Sequence, residues 1–143
     1  MKIALAADHG GFEMKNQIAQ YLISKNFDVV DLGTNSSDSV DYPDFAQKVV
    51  QKLSMKEADL GILVCGTGIG ISIAANRHKG IRAALLYDDY VAQVAKEHNN
   101  ANVLCFGGRT MKIEDVLKRI DIFLAAKYEG GRHDRRLCKL DID

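Results

Sequence analysis

Cysteine is scarce and unpatterned in this chain. Cys65, Cys105 and Cys138 are its three cysteines. Their number is odd, and neither CxxC nor metal-ligand spacing joins them, so no disulfide scaffold or zinc site is expected and a reduced thiol is. Net charge is absent too: 19 Lys+Arg balance 19 Asp+Glu. A chain without a basic surplus has nothing to hold a polyanion generally, which disfavours nucleic-acid binding and leaves any anion to a local site. No apolar run approaches the ~20 residues of a membrane span. Met1-Lys2 leads directly into a strand-like Ile3-Ala4-Leu5-Ala6-Ala7. The expectation is a soluble, untargeted, cytoplasmic protein with no membrane partner.

With 143 residues and 47% hydrophobic content, the chain suits one domain over residues 1–143 with a substantial core. Residues 3–7 read as a first strand that stops at Asp8-His9-Gly10-Gly11, after which Phe12, Ile18, Ala19 and Leu22 recur at helical spacing. A second strand spans 27–31, and a turn-forming stretch 33–39 follows. The one proline, Pro43, is placed to open a helix whose apolar stripe is Phe45, Ala46, Val49, Val50 and Leu53. Residues 60–64 predict a buried strand, 81–86 a fourth, and 102–106 a fifth. Asp88 or Asp89 would cap a helix through Val91, Val94 and Ala95 that fades at His98. A long helix carries Ile113, Val116, Leu117, Ile120, Phe123 and Leu124. Five strand-helix alternations call for a parallel sheet covered by helices on both faces, with ligands at the carboxyl ends of the strands.

The most informative stretch is Val64-Cys65-Gly66-Thr67-Gly68-Ile69-Gly70, where a strand hands over to a helix whose apolar face is expected to be Ile69, Ile73 and Ala74. Glycines let backbone N–H groups converge on a ligand, and a helix N-terminus adds partial positive charge. Neither a Walker phosphate loop nor the G-x-G-x-x-G dinucleotide fingerprint fits the spacing. A thiol at the leading edge of such a cradle is positioned to become a thiolate. The segment after Tyr128 is charged and short of apolar residues, as a solvated tail is. Yet Arg132 and Arg136 share a face if it is helical, and paired guanidinium groups suit a phosphate. With Asp8-His9, His98-Asn99 and Arg109 placed at the same functional edge, the set suggests proton transfer on an anionic small molecule.

Ala7-Asp8-His9-Gly10-Gly11, Cys65-Gly66-Thr67-Gly68-Ile69-Gly70, Glu97-His98-Asn99 and Tyr128-Glu129-Gly130-Gly131-Arg132-His133 together resemble the ribose-5-phosphate isomerase type B family, which includes galactose-6-phosphate isomerase subunits and enzymes acting on allose 6-phosphate. The resemblance spans essentially the whole chain. It implies a Rossmann-like three-layer α/β sandwich with a five-stranded parallel sheet and a C-terminal helical tail. It also implies aldose–ketose isomerisation of ribose 5-phosphate and ribulose 5-phosphate through an enediolate, without metal or cofactor. In that reading Cys65 is the base, His98 opens the furanose ring, and the backbone of Gly66, Thr67, Gly68, Ile69 and Gly70 holds the enediolate oxygens. Asp8 and Asn99 would bind hydroxyls, and His9, Arg109, Arg132 and Arg136 the phosphate.

Some members of the family replace the cysteine by a glutamate just after the last glycine; Ile71 stands there, which leaves Cys65 as the base. Tyr42 resembles another family site residue, but an aromatic lid over the second βα turn explains it equally, so it is not counted. The family implies a homodimer or dimer of dimers whose sites are shared, with Cys65, His9 and the arginine tail of one chain facing His98, Asn99 and Arg109 of its partner. A six-carbon sugar phosphate as substrate, a non-catalytic sugar-phosphate-binding module, and a flavodoxin-like or response-regulator domain are the alternatives, the last leaving Cys65, His98 and the arginines without work.

Overall fold

The computed structural model describes residues 1–141. In chain order the elements are β1 (Lys2–Ala7), α1 (Phe12–Ser24), β2 (Asp28–Asp31), α2 (Tyr42–Ser54), β3 (Leu60–Cys65), α3 (Ile69–Asn76), β4 (Ala83–Leu85), α4 (Asp89–Glu97), β5 (Val103–Gly107), α5 (Ile113–Ala125) and α6 (Arg132–Leu140). All strand pairs are parallel, in the order β2-β1-β3-β5-β4. The expected Rossmann-like sandwich is present, and the basic tail closes as a helix, α6.

Each sheet face has its own core. Ile3, Leu5, Ile62, Val64, Leu104 and Phe106 pack with residues of α1, α4 and α5 on one side. Ala4, Ala6, Leu63, Cys65, Val103 and Cys105 pack with α2 and α3 on the other. The continuous apolar runs of β1, β3 and β5 follow from that double burial. Gly61 lets α2 approach β3 closely: a Cβ there would lie 2.5 Å from Val49 Cγ1. Pro43 sits in the first turn of α2, where its missing N–H costs nothing. Asp88 caps α4 by accepting from the amides of Tyr90 and Val91 at 2.8 and 3.3 Å.

The buried face of α3 differs from the expected one. Ile71 and Ala75 are fully buried, whereas Ile69 and Ile73 are 53% and 58% exposed. Apolar residues occur all round this helix, so spacing alone selects no face; packing on β3 and α2 does. The fourth strand is also shorter than expected, since Asn102 side-chain bonds and an Arg82–Asn102 link replace ladder pairing at its start.

Two features of the topology place the chemistry. Strand order reverses between β1 and β3, whose following helices leave to opposite faces, so a crevice opens at their carboxyl ends. The helices α4 and α5 return the chain to the other edge of the sheet, where β5 begins and the tail starts. There the Glu129 amide donates to Glu97 O at 3.0 Å.

Candidate active site

At the carboxyl edge, Cys65 ends β3 with its side chain 5% exposed. The turn folds back on it, and the Gly68 amide donates to Cys65 Sγ over 3.1 Å. Gly68 reaches this position with φ +80°, and a Cβ would come within 2.5 Å of Leu85 Cδ1 and 2.9 Å of the Phe106 carbonyl. Only glycine fits there. The Ile69 amide donates to Thr67 Oγ1 at 3.2 Å, locking the turn just before α3. Two further bonds clamp the turn to the end of β5: Gly108 N–H to Cys65 O at 2.8 Å and Arg109 N–H to Gly66 O at 2.9 Å.

Asp8 lies beside this turn, since its amide donates to Val64 O at 3.2 Å. Its carboxylate is buried and accepts from Gly10 N–H at 2.9 Å. The Arg109 guanidinium lies over the turn, 3.4 Å from where a Gly66 Cβ would stand. His9 and Arg109 line one cavity of about 230 Å³ with Gly10, Ser37 and Gly108. Tyr42 belongs here as well: its ring would lie 2.7 Å from a Gly70 Cβ. Its place against the glycine turn is a tertiary fact that the βα pattern does not carry. Ile71 is fully buried beneath the turn and offers no base.

Buried beneath Cys65, Cys105 has its thiol pushed well above the usual range by burial, with the neighbouring Cys65 adding to the effect. It is a core residue, inert at ordinary pH.

The amino edge carries the rest. His98 caps the end of α4 and stacks on His133 of α6, ring centroids 4.5 Å apart and planes 17° from parallel. Glu129 Oε1 is a shared partner, 3.3 Å from His133 Nε2, 3.7 Å from His98 Nε2 and 3.8 Å from an Arg132 nitrogen. His98, Asn99, His133 and Arg136 line a second cavity of about 380 Å³. Tyr128 Oη donates to Asp134 at 2.6 Å, a bond that pushes the phenol up to about 12 and pins the start of α6.

Among the described residues, His98, Glu129 and His133 place three donor atoms within 4.8 Å of one another, close enough to meet a metal ion. Near-parallel stacked imidazoles direct their in-plane lone pairs side by side rather than at one point, so one ring would have to turn before both could ligate. As they stand, Glu129 hydrogen-bonds His133, and His98 stacks on His133 with its Nε2 3.7 Å from the same carboxylate oxygen.

Two expectations need correcting. His98 and Asn99 do not share an edge with Cys65: α4, nine residues and roughly 13 Å of helix, carries them to the opposite side of the sheet. The grouping of arginines also differs. Arg109 stands with Cys65 and His9, whereas Arg132 and Arg136 stand with His98 and Asn99. The reason is topological. Arg109 follows β5 directly at its carboxyl end, but α5 then returns the chain to the amino edge before α6 begins.

A family model described as Ribose/Galactose Isomerase matches residues 3–140. The chain belongs to this ribose/galactose isomerase family. Ribose-5-phosphate isomerase B of Escherichia coli is 46% identical over 136 residues, covering 95% of this chain and 91% of that protein. The crystal structure of a ribose 5-phosphate isomerase from Thermotoga maritima superposes with a TM-score of 0.96 at 52% identity, covering 98% of this chain and 97% of that one. Ribose-5-phosphate isomerase B of Mycoplasma genitalium, solved with bound ribulose-5-phosphate, has a TM-score of 0.92 at 47% identity, covering 97% and 93%.

Proposed function

We propose that this isomerase interconverts ribose 5-phosphate and ribulose 5-phosphate through an enediolate. The observation that carries the reading is a thiol held inside an amide-lined turn, Cys65 Sγ on Gly68 N–H, in a chain nearly half identical to a relative solved with bound ribulose-5-phosphate. Ring opening comes first, because only the open aldose has an acidic hydrogen beside a carbonyl. The C1–O4 bond breaks as the ring oxygen takes a proton from His98, and the C1 hydroxyl proton passes through solvent back to His98 as the aldehyde forms. Cys65 then removes the C2 proton and returns it to C1, while the O2 proton ends on O1. Negative charge on the enediolate oxygens falls beside the backbone of Gly66 to Gly70, where fixed N–H groups count most. Asp8 and Asn99 bind hydroxyls, and His9, Arg109, Arg132 and Arg136 hold the phosphate.

The reading requires two copies. Base and acid stand on opposite edges of one sheet, too far apart to meet on one small sugar, so the carboxyl edge of one chain faces the amino edge of another. Ile69, Ile73, Tyr87 and Tyr90 are exposed apolar side chains flanking the carboxyl edge, and a second copy is the partner that covers them. Cys65, Cys105 and Cys138 are all free thiols, which suits a reducing cytoplasm. Among the described residues no helix is long and apolar enough to cross a membrane.

Rates on ribose 5-phosphate, allose 6-phosphate and galactose 6-phosphate, measured side by side, test the assignment. The pentose phosphate is expected to give the highest kcat/KM, and preference for either hexose phosphate would move the chain to a six-carbon branch. Binding without turnover on all three would leave a sugar-phosphate-binding module.

A further inference from the structure

His9 is held from outside its own strand and helix. The Val40 amide donates to His9 Nδ1 over 3.2 Å. A peptide N–H can only donate, so Nδ1 presents its lone pair and the ring proton of the neutral imidazole resides on Nε2. That assignment matters at a phosphate, whose oxygens are acceptors. A neutral histidine serves them only through N–H, and the opposite tautomer would present a lone pair on that side.

The segment delivering Val40 is tied down at its other end by a pair of residues the isomerase chemistry does not use. Lys15, 1% exposed on α1, meets both carboxylate oxygens of Asp31 at 2.8 and 2.7 Å. Asp31 Oδ1 also accepts from Gly33 N–H at 2.9 Å. Gly33 O and Thr34 N–H then pair with the amide and carbonyl of Ala7 at 2.8 Å each, directly before Asp8-His9. A buried ammonium is costly unless its partner is fully engaged. Here it fixes the start of a loop whose residues 35–39 are exposed and whose end returns to His9. Ser37 of that loop lines the same cavity as His9 and Arg109.

We propose that the loop over residues 35–41, clamped by Lys15–Asp31 and closing on His9 through the Val40 amide, is a positioning element that fixes His9 as an Nε2–H donor to the substrate phosphate. The proposal rests on the reading of His9 as a phosphate contact. It makes Lys15, Asp31 and Val40 positioning residues, acting on substrate through His9.

Imidazole nitrogen NMR of the ¹⁵N-labelled full chain tests it directly, with the His9 signals identified by their loss in His9→Gln. The expected spectrum has His9 Nδ1 unprotonated and Nε2 protonated; an Nδ1–H tautomer, or a freely exchanging mixture, overturns the proposal whether or not any variant folds. Val40→Pro removes the donor. It is expected to raise KM and weaken inhibition by inorganic phosphate roughly ten-fold, the worth of one charge-assisted hydrogen bond, with kcat within about two-fold of wild type. Ser39→Pro, which stiffens the loop but keeps the Val40 amide, is expected to leave phosphate inhibition in place. If His9→Gln weakens phosphate inhibition and a folded Val40→Pro does not, the positioning role is wrong while the phosphate contact stands. If His9→Gln itself leaves phosphate inhibition unchanged, the phosphate reading fails and the proposal goes with it.

Discussion

The Gly68 amide points at Cys65 Sγ from 3.1 Å, and it can do so because Gly68 adopts φ +80° under Leu85 and Phe106. A glycine that no side chain can replace therefore fixes a backbone donor on the sulfur. The conformation of one turn residue thus sets what surrounds the sulfur three positions before it.

Cys65→Ser should keep the fold and the inhibition by inorganic phosphate while lowering kcat by ~10²–10⁴-fold, the range for losing a general base. Steady-state kinetics with phosphate as competitor separate the two effects. Turnover near wild type would remove Cys65 from the mechanism.

His98→Asn should impair isomerisation of the cyclic aldose more than solvent exchange of the C1 hydrogens of ribulose 5-phosphate, a ketose that has no free C5 hydroxyl with which to close a furanose. Deuterium incorporation followed by NMR reads the exchange step without ring opening. Exchange slowed as much as overall isomerisation would place His98 in the enolisation step instead.

The arrangement of side chains at the two edges predicts which pairs of inactive chains can rescue each other. Cys65→Ser mixed with His98→Asn and refolded should regain about a quarter of wild-type activity. Random pairing makes about half the dimers mixed, and each mixed dimer rebuilds one of two sites. A severely impaired Arg132 or Arg136 variant should rescue Cys65→Ser in the same way, whereas an Arg109 variant should not, because Arg109 and Cys65 stand on one edge of one chain. Rescue by Arg109 and none by the tail would restore the opposite grouping. A tag pull-down establishes that mixed dimers have formed.

Burial raises the Cys105 thiol well above its ordinary value of 9.0, so the folded chain keeps it protonated where the unfolded chain ionises it. The stabilising difference is complete below pH 9 and is lost as pH rises above it, by about 1.4 kcal/mol per pH unit for one proton. Denaturant melts between pH 8 and 10 should therefore show a steeper alkaline loss for wild type than for Cys105→Ala, which is less stable at pH 8 through the lost packing. Parallel pH profiles would contradict the burial argument.

The sequence alone determined the alternation of five strands and helices, the parallel sheet, the glycine turn after β3 and the four motifs that carry the family resemblance. These depend on local periodicity, turn chemistry and motif spacing, which a linear chain displays. Apolar spacing failed at α3, where apolar residues occur all round the helix and only the packing on β3 and α2 selects Ile71 and Ala75 for the core. It was also silent on which strand end each polar group occupies. His98 and Arg109 are separated by only one strand in the chain, yet they sit at opposite edges of the sheet because that strand, β5, runs from the amino edge to the carboxyl edge between them. The tertiary structure alone decided that Arg109 joins Cys65, that Arg132 and Arg136 join His98, that Tyr42 lies against Gly70, and that Val40 reaches back to His9. Those contacts span up to tens of residues of sequence, and their free energy exists only once the intervening helices are packed.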